Sequence, residues 1–156
     1  MLKLLKTSPE LQIHSGTHAY INEHGEPMIA KYGSGKTVKG VRLIFDETGS
    51  LFIANAFILY RRIVLQMVDT GSTEKGMLAF FKVIKENYLS WDEHLTPDDP
   101  DNPIFVFRNV LESNVQSGHY TDKTASNYLG VARSFYKFLL RHNYIGQLPY
   151  TVIGVS

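Results

Sequence analysis

Residues 117–145 read SGHYTDKTASNYLGVARSFYKFLLRHNYI, and this stretch decides the fold. Ser117-Gly118 is a turn signal, and Thr121 or Asp122 can cap a helix start that runs to about His142. Ala125, Tyr128, Leu129, Ala132, Phe135, Tyr136 and Leu139 recur at helical spacing, which predicts one apolar stripe. Lys123, Asn127, Arg133, Lys137 and Arg141 fall on the opposite side. A long amphipathic helix of this kind needs partners to cover its stripe.

The partners lie upstream. Ile104 to Gln116 predicts a helix with Phe105, Val106, Val110, Leu111 and Val115 on its buried side. Residues 73–90 predict another, with Thr73 as N-cap, Glu74 in the first turn and Trp91 closing it. Its stripe is Met77, Phe80, Phe81, Ile84 and Tyr88. Residues 54–68, ANAFILYRRIVLQMV, exceed a usual strand and read as a largely buried helix, with Asn55 able to cap its start. The run Leu51 to Val68 contains Asn55, Arg61 and Arg62, which argue against a membrane span. Residues 92–103 form a short acidic loop with three prolines, read as lying within one domain.

Residues 10–53 are β-rich. Val41–Phe45 and Ser50–Ile53 flank Asp46-Glu47-Thr48-Gly49 and read as a hairpin. The fold class expected is therefore mainly α with a small β-rich N-terminal segment, α+β overall. The expected divisions are a β-rich segment at 1–50, a helical domain at 51–146 and a tail at 147–156, with one short strand at most.

The chain has 156 residues, a net charge of +1 and no cysteine. Disulfides, thiolate metal sites and cysteine nucleophiles are excluded. The near-neutral charge hides a segregation: residues 1–66 carry +3, residues 67–118 carry −5 and residues 119–156 carry +3. Charge must be judged element by element.

Ala30 to Thr37, AKYGSGKT, fits a relaxed phosphate-loop pattern, and Leu43 to Glu47 resembles a metal-binding acidic strand. The context rejects it. The Lys-Thr pair should open a helix, yet Val38 and Gly40 follow and only five residues precede Leu43. A Gly-rich turn with a solvated Lys36 is the better reading. His14, His18, Glu23 and His24 sit in strand and turn sequence, where four-residue spacing does not converge a metal site. His94, His119 and His142 have no partner within reach by sequence. No nucleophile elbow, carboxylate pair or Ser/His/Asp order emerges, so no catalysis and no cofactor are expected of this chain.

Residues 117–145 resemble the core-binding domain of tyrosine recombinases, the phage-integrase family. That family shows a small turn, a Ser or Thr, a Thr-x-x-x-Tyr-Leu helix and an Arg-Ser-Phe-Tyr-x-Phe-Leu ending. Here these are Ser117, Gly118, Thr121, Thr124, Tyr128, Leu129, Arg133, Ser134, Phe135, Tyr136, Phe138 and Leu139. Leu51–Leu59, Thr73–Tyr88 with Leu78-Ala79-Phe80-Phe81, and Phe107-Arg108 to Leu111 extend the resemblance to the first three helices.

The resemblance implies a SAM-like four-helix core-binding bundle that forms half of a clamp on double-stranded DNA, serving DNA integration and site-specific recombination for a mobile element. It implies Thr73, Lys75, Lys123, Thr124, Ser126 and Asn127 as DNA contacts, with Arg133, Lys137 and Arg141 facing phosphates. It also implies a homo-oligomer on DNA in the full-length protein, a bacterial cytoplasmic, nucleoid-associated location and no membrane partner. The family's catalytic tyrosine, Arg, Lys and His-x-x-Arg lie in a separate C-terminal domain. No His here is followed by Arg three positions later, so the chain is expected to bind DNA weakly and cut nothing. The β-rich residues 1–50 are compatible with an arm-site-binding domain or with a structural hairpin. The competing reading is a protein-interaction or regulatory helical bundle without DNA, motivated by the acidic middle.

Overall fold

The computed structural model describes residues 6–7, 11–14, 17–21, 24–25, 27–31, 37–46, 49–65 and 72–151. The chain is mainly helical, and among the described residues the short strands lie within the first 50. It forms two compact units, Met1–Leu78 and Ala79–Ser156.

In the first unit, β1 (Lys6–Thr7), β6 (Ile44–Asp46) and β7 (Gly49–Ser50) make an antiparallel sheet in the order β1-β6-β7. β2 (Leu11–His14) pairs with β5 (Thr37–Val41), and β3 (Thr17–Ile21) pairs with β4 (Pro27–Lys31). The hairpin expected around residues 46–49 is present as β6–β7, shorter than its sequence suggested. Its second arm stops at Ser50 because Phe52 already opens helix α1 (Phe52–Leu59). Thr37 opens a strand, so the Lys-Thr pair of the phosphate-loop look-alike leads into no helix. Residues 32–36 of that pattern, and Glu23 beside the histidines, lie outside the described residues.

α1 is buried from Ile53 to Leu59 and packs on β3. A helix apolar on every side has no solvent face to offer. It continues as a π-helical turn at Tyr60–Val64, where Leu65 N–H donates to Tyr60 O at 3.0 Å. Asn55 does not cap this helix. It lies inside α1, 2% exposed, with its side chain on the backbone of Ile44. Arg62 reaches Glu74 at 3.2 Å, with both side chains nearly buried.

The domain division expected at 50/51 is not the one observed. α1 belongs with the strands, and the boundary falls inside α2 (Ser72–Glu86), between Leu78 and Ala79. α2 starts before Thr73, so Thr73 is a helical residue and is fully buried. The helix ends at Glu86 rather than 90. Tyr88 takes a left-handed conformation at φ 55°, and Leu89 N–H turns back to Ile84 O at 2.9 Å. Tyr88 therefore leaves the expected stripe and stands 89% exposed, while Val83 is buried in α2.

The second unit is built on aromatic residues. Phe80 meets Phe107 at 5.2 Å and Tyr136 at 5.8 Å between ring centroids, both edge to face. Phe81 and Trp91 flank Phe135 at 5.7 and 6.4 Å. Such edge contacts add about 0.5–1.5 kcal/mol each beyond area burial. Tyr136 is fully buried, and its hydroxyl donates to Trp91 O at 2.7 Å. Burial holds that phenol well above its ordinary pKa.

α3 (Pro103–Gln116) begins with Pro at its first position, where no N–H is needed. Asn102 caps it and is itself fully buried. Pro103, Ile104, Phe107 and Leu111 form its buried side, whereas Phe105, expected there, is 46% exposed. Gly118, at φ 84°, turns the chain out of α3 in a conformation that favours glycine. α4 (Asp122–Arg141) follows, capped by Thr121, whose hydroxyl accepts from Thr124 N–H at 3.1 Å. Val131, Ala132, Phe135, Tyr136, Phe138 and Leu139 are its buried residues.

The region after α4 is not a free tail up to residue 151. Pro149 is buried, Gln147 donates to Leu95 O at 3.2 Å, and the side-chain amide of Asn102 donates to Pro149 O. Residues 142–151 contain turns and no strand.

Candidate nucleic-acid interface

The 3.6-residue period of α4 sorts the candidate residues directly. Its buried positions occupy one side, so Lys123, Ser126, Asn127, Arg133, Lys137 and Arg141 share the other, and all are exposed. Gly130 lies among them, also exposed. Asp122 is the one acidic residue of α4, at its first turn where a carboxylate suits the helix dipole.

Four cations line this face, Lys123, Arg133, Lys137 and Arg141, and none is ion-paired with a carboxylate among the described residues. By contrast, Arg108 pairs with Glu112 and Arg62 with Glu74, both at 3.2 Å, while Lys75 and Lys82 on α2 are exposed like the cations of α4. The face also carries Ser126 and Asn127, which can donate to phosphates or read base edges.

One expected contact, Thr73, is corrected, and a second, Thr124, also has a place in the helix cap. Thr124 turns toward the capping turn, where its hydroxyl accepts from Thr121 Oγ1–H at 3.1 Å and its N–H goes to the same oxygen. It serves the start of α4. Thr73 is fully buried, so its side chain does not reach the surface. Lys75 is exposed and belongs to the first unit.

Tyr150 lies against Arg133 of this face, a contact that sequence reasoning missed. The guanidinium of Arg133 lies over its ring, 5.7 Å from the centroid, and its hydroxyl donates to Arg133 O at 3.2 Å. Partial burial raises its pKa, against the opposing effect of the Arg133 charge. The signal was the aromatic residue after Leu148-Pro149, hidden because the segment looked like a linker.

Beside this face, α3 and α4 form an open groove of about 400 Å3. Leu111, Val115, Ala125 and Leu129 line it together with the charged Arg108, Glu112 and Asp122. In the acidic loop, His94 Nδ1 meets Asp99 Oδ2 at 2.9 Å, correcting the expectation that His94 had no partner. Asp99 also accepts from Asp101 N–H at 2.8 Å. His94, Asp99 and Asp101 are close enough to share a metal ion, but their mutual bonds already close the loop. The Asp99 bond and charge raise the pKa of His94. The Asp101 N–H, then His94, lower that of Asp99.

No helix among the described residues is long and apolar enough to cross a membrane. No family model matches the chain, and no curated protein or solved structure matches it.

Proposed function

We propose that this chain is a duplex-DNA-binding module of the kind that the core-binding domain provides in tyrosine recombinases. The observation that carries the reading is the exposed face of α4, with its four cations free of carboxylate partners among the described residues. Exposed cations on a folded surface are usually balanced by nearby acids or solvated at random. Here they are gathered on one side of a single helix, beside Ser126 and Asn127, in a chain of net charge +1. A phosphate backbone supplies the missing negative charge.

The chain would act by positioning rather than by chemistry. In this reading α3 and α4, with the second half of α2, are helices of a SAM-like core-binding domain, while α1 lies with the strands of the first unit, and a full-length recombinase would assemble as a homo-oligomer on its core site in the bacterial cytoplasm. Lys123, Arg133, Lys137 and Arg141 hold phosphates, and Ser126 and Asn127 add donors that depend on base identity. Lys75 is a further contact in this scheme.

Fluorescence anisotropy with duplex DNA tests it. Affinity should fall with salt, with a log–log slope of about −3 to −4 if these cations each neutralise one phosphate. Exchanging Lys123 and Lys137 for Glu should weaken binding and flatten that slope. Absence of duplex affinity at about 50 mM salt, where counterion release is strongly favourable, would overturn the proposal.

A second reading, a protein-interaction module without DNA, draws on the α3–α4 groove and the acidic loop. It predicts no dependence of partner binding on Lys123 or Lys137.

A further inference from the structure

We propose that Tyr150 is a positioning residue that presents Arg133 for a phosphate contact; the inference rests on the DNA-binding reading above.

Arg133 stands in the middle of the exposed face of α4, between Asn127 and Lys137. An exposed arginine on a helix samples many rotamers, and ordering it on contact with a ligand costs entropy. Tyr150 removes much of that freedom beforehand. Its ring lies under the guanidinium at 5.7 Å, and its hydroxyl donates to the carbonyl of the same residue at 3.2 Å. The aromatic ring is thus fixed to the backbone that carries the side chain it holds. A guanidinium over a ring face keeps its N–H groups at the edge, pointing away from the ring, where they can take a phosphate bidentately.

Tyr150 itself is held by the segment before it. Pro149 is buried and its carbonyl accepts from the Asn102 side chain, while Gln147 donates to Leu95 O at 3.2 Å. Asn102 is fully buried, and its Oδ1 accepts from Ile104 and Phe105 N–H at 2.9 and 3.2 Å. The same amide therefore caps α3 and anchors the strap that ends on Arg133. Lys123, Lys137 and Arg141 have no aromatic partner among the described residues, so Arg133 is the preorganised cation of the face.

The test is a double-mutant cycle on the full chain, read as affinity for duplex DNA at low salt. Arg133→Ala should weaken binding and reduce the magnitude of the salt slope by about one. Tyr150→Leu, which keeps an apolar strap, should weaken binding about three- to fivefold. The same substitution should have no effect in the Arg133→Ala background. Tyr150→Phe, which keeps the ring, should restore most of the affinity. Thermal unfolding of each variant checks that the strap stays folded, since Asn102 and Gln147 still hold it. An equal loss from Tyr150→Leu with and without Arg133, or no loss at all, would overturn the positioning role and leave DNA binding standing. Failure of the unaltered chain to bind duplex would overturn both.

Discussion

The side chain of Asn55 takes up both backbone polar groups of Ile44. Its Oδ1 accepts from Ile44 N–H at 2.8 Å, and its Nδ2 donates to Ile44 O at 3.1 Å. An amide side chain inside α1 thus mimics a neighbouring strand and ties the helix to β6, while Leu51 N–H shares the same carbonyl at 3.0 Å. Replacing Asn55 with Leu, close in size, leaves Ile44 N–H without its acceptor in a fully buried place. The expected loss is about 1–3 kcal/mol. Urea denaturation should show a lower midpoint with an unchanged slope.

Asn102 is the corresponding point in the second unit. Its oxygen caps α3, and its nitrogen serves Thr96 O at 3.1 Å and Pro149 O. Asn102→Ala removes the cap and leaves the buried Pro149 carbonyl without its donor, while Thr96 O keeps Asp99 N–H, so a loss of about 2 kcal/mol is expected. Asn102→Asp keeps the acceptors for Ile104 and Phe105 N–H, and suits the helix dipole. It loses the donor to Pro149. Limited proteolysis should therefore cut both variants near residues 147–151, while only the alanine variant loses the start of α3 in hydrogen exchange.

The helices of the second unit were legible because period and punctuation agreed. Gly118 marks the exit from α3, and Thr121 with the stripe through Ala132, Phe135, Tyr136 and Leu139 marks α4; the structure puts them where their local chemistry requires. Phe105 and Tyr88 were misread for one reason. Apolar residues at helical spacing look alike until the neighbour that covers them is known, and the left-handed turn at Tyr88 carries no Gly to announce it. Asn55 and Asn102 show a different limit. Each is a polar residue whose role depends on a partner 11 or 47 positions away in sequence. Asn55 beside an apolar run looked like a cap; only the fold brings Ile44 beside it. The cations of α4 were readable from spacing, but the engagement of Arg133 by Tyr150 was not, since it depends on the path of the chain after α4.

The histidines separate by environment. His94 is raised from its ordinary pKa by the Asp99 bond and charge, while partial desolvation, then the charge of Arg141, lower His142. NMR titration should find His94 deprotonating at higher pH than His142. The signs for stability differ as well. The raised His94 contributes fully below its unfolded pKa, and that contribution is lost as pH rises through the folded value. The lowered Asp99 contributes above its unfolded pKa and is lost as pH falls through the folded value. The pair therefore acts between those two folded values, and salt should weaken it because both groups are exposed to solvent. His142 works the other way from His94: stability falls as pH drops below its unfolded value, because the unfolded chain takes the proton more readily. Asp99→Asn should bring the pKa of His94 down and leave that of His142 in place.

Gly130 sits in the exposed part of α4, and a β-carbon built there meets no atom within 4 Å. Neither packing nor a left-handed backbone requires glycine at this place. In a helix interior glycine is less favourable than alanine by about 0.8–1.0 kcal/mol. Gly130→Ala should therefore stabilise the chain by about that amount, raising the melting temperature by about 2–4 °C for a chain of this size. Because the residue lies between Asn127 and Arg133 on the proposed DNA face, the same variant separates stability from binding. A higher melting temperature with unchanged duplex affinity would mean that the nucleic acid keeps its distance from the helix backbone at this turn. A higher melting temperature with weaker affinity would mean that the duplex approaches α4 closely enough for a single methyl group to obstruct it. A lower melting temperature would contradict the open surroundings of Gly130.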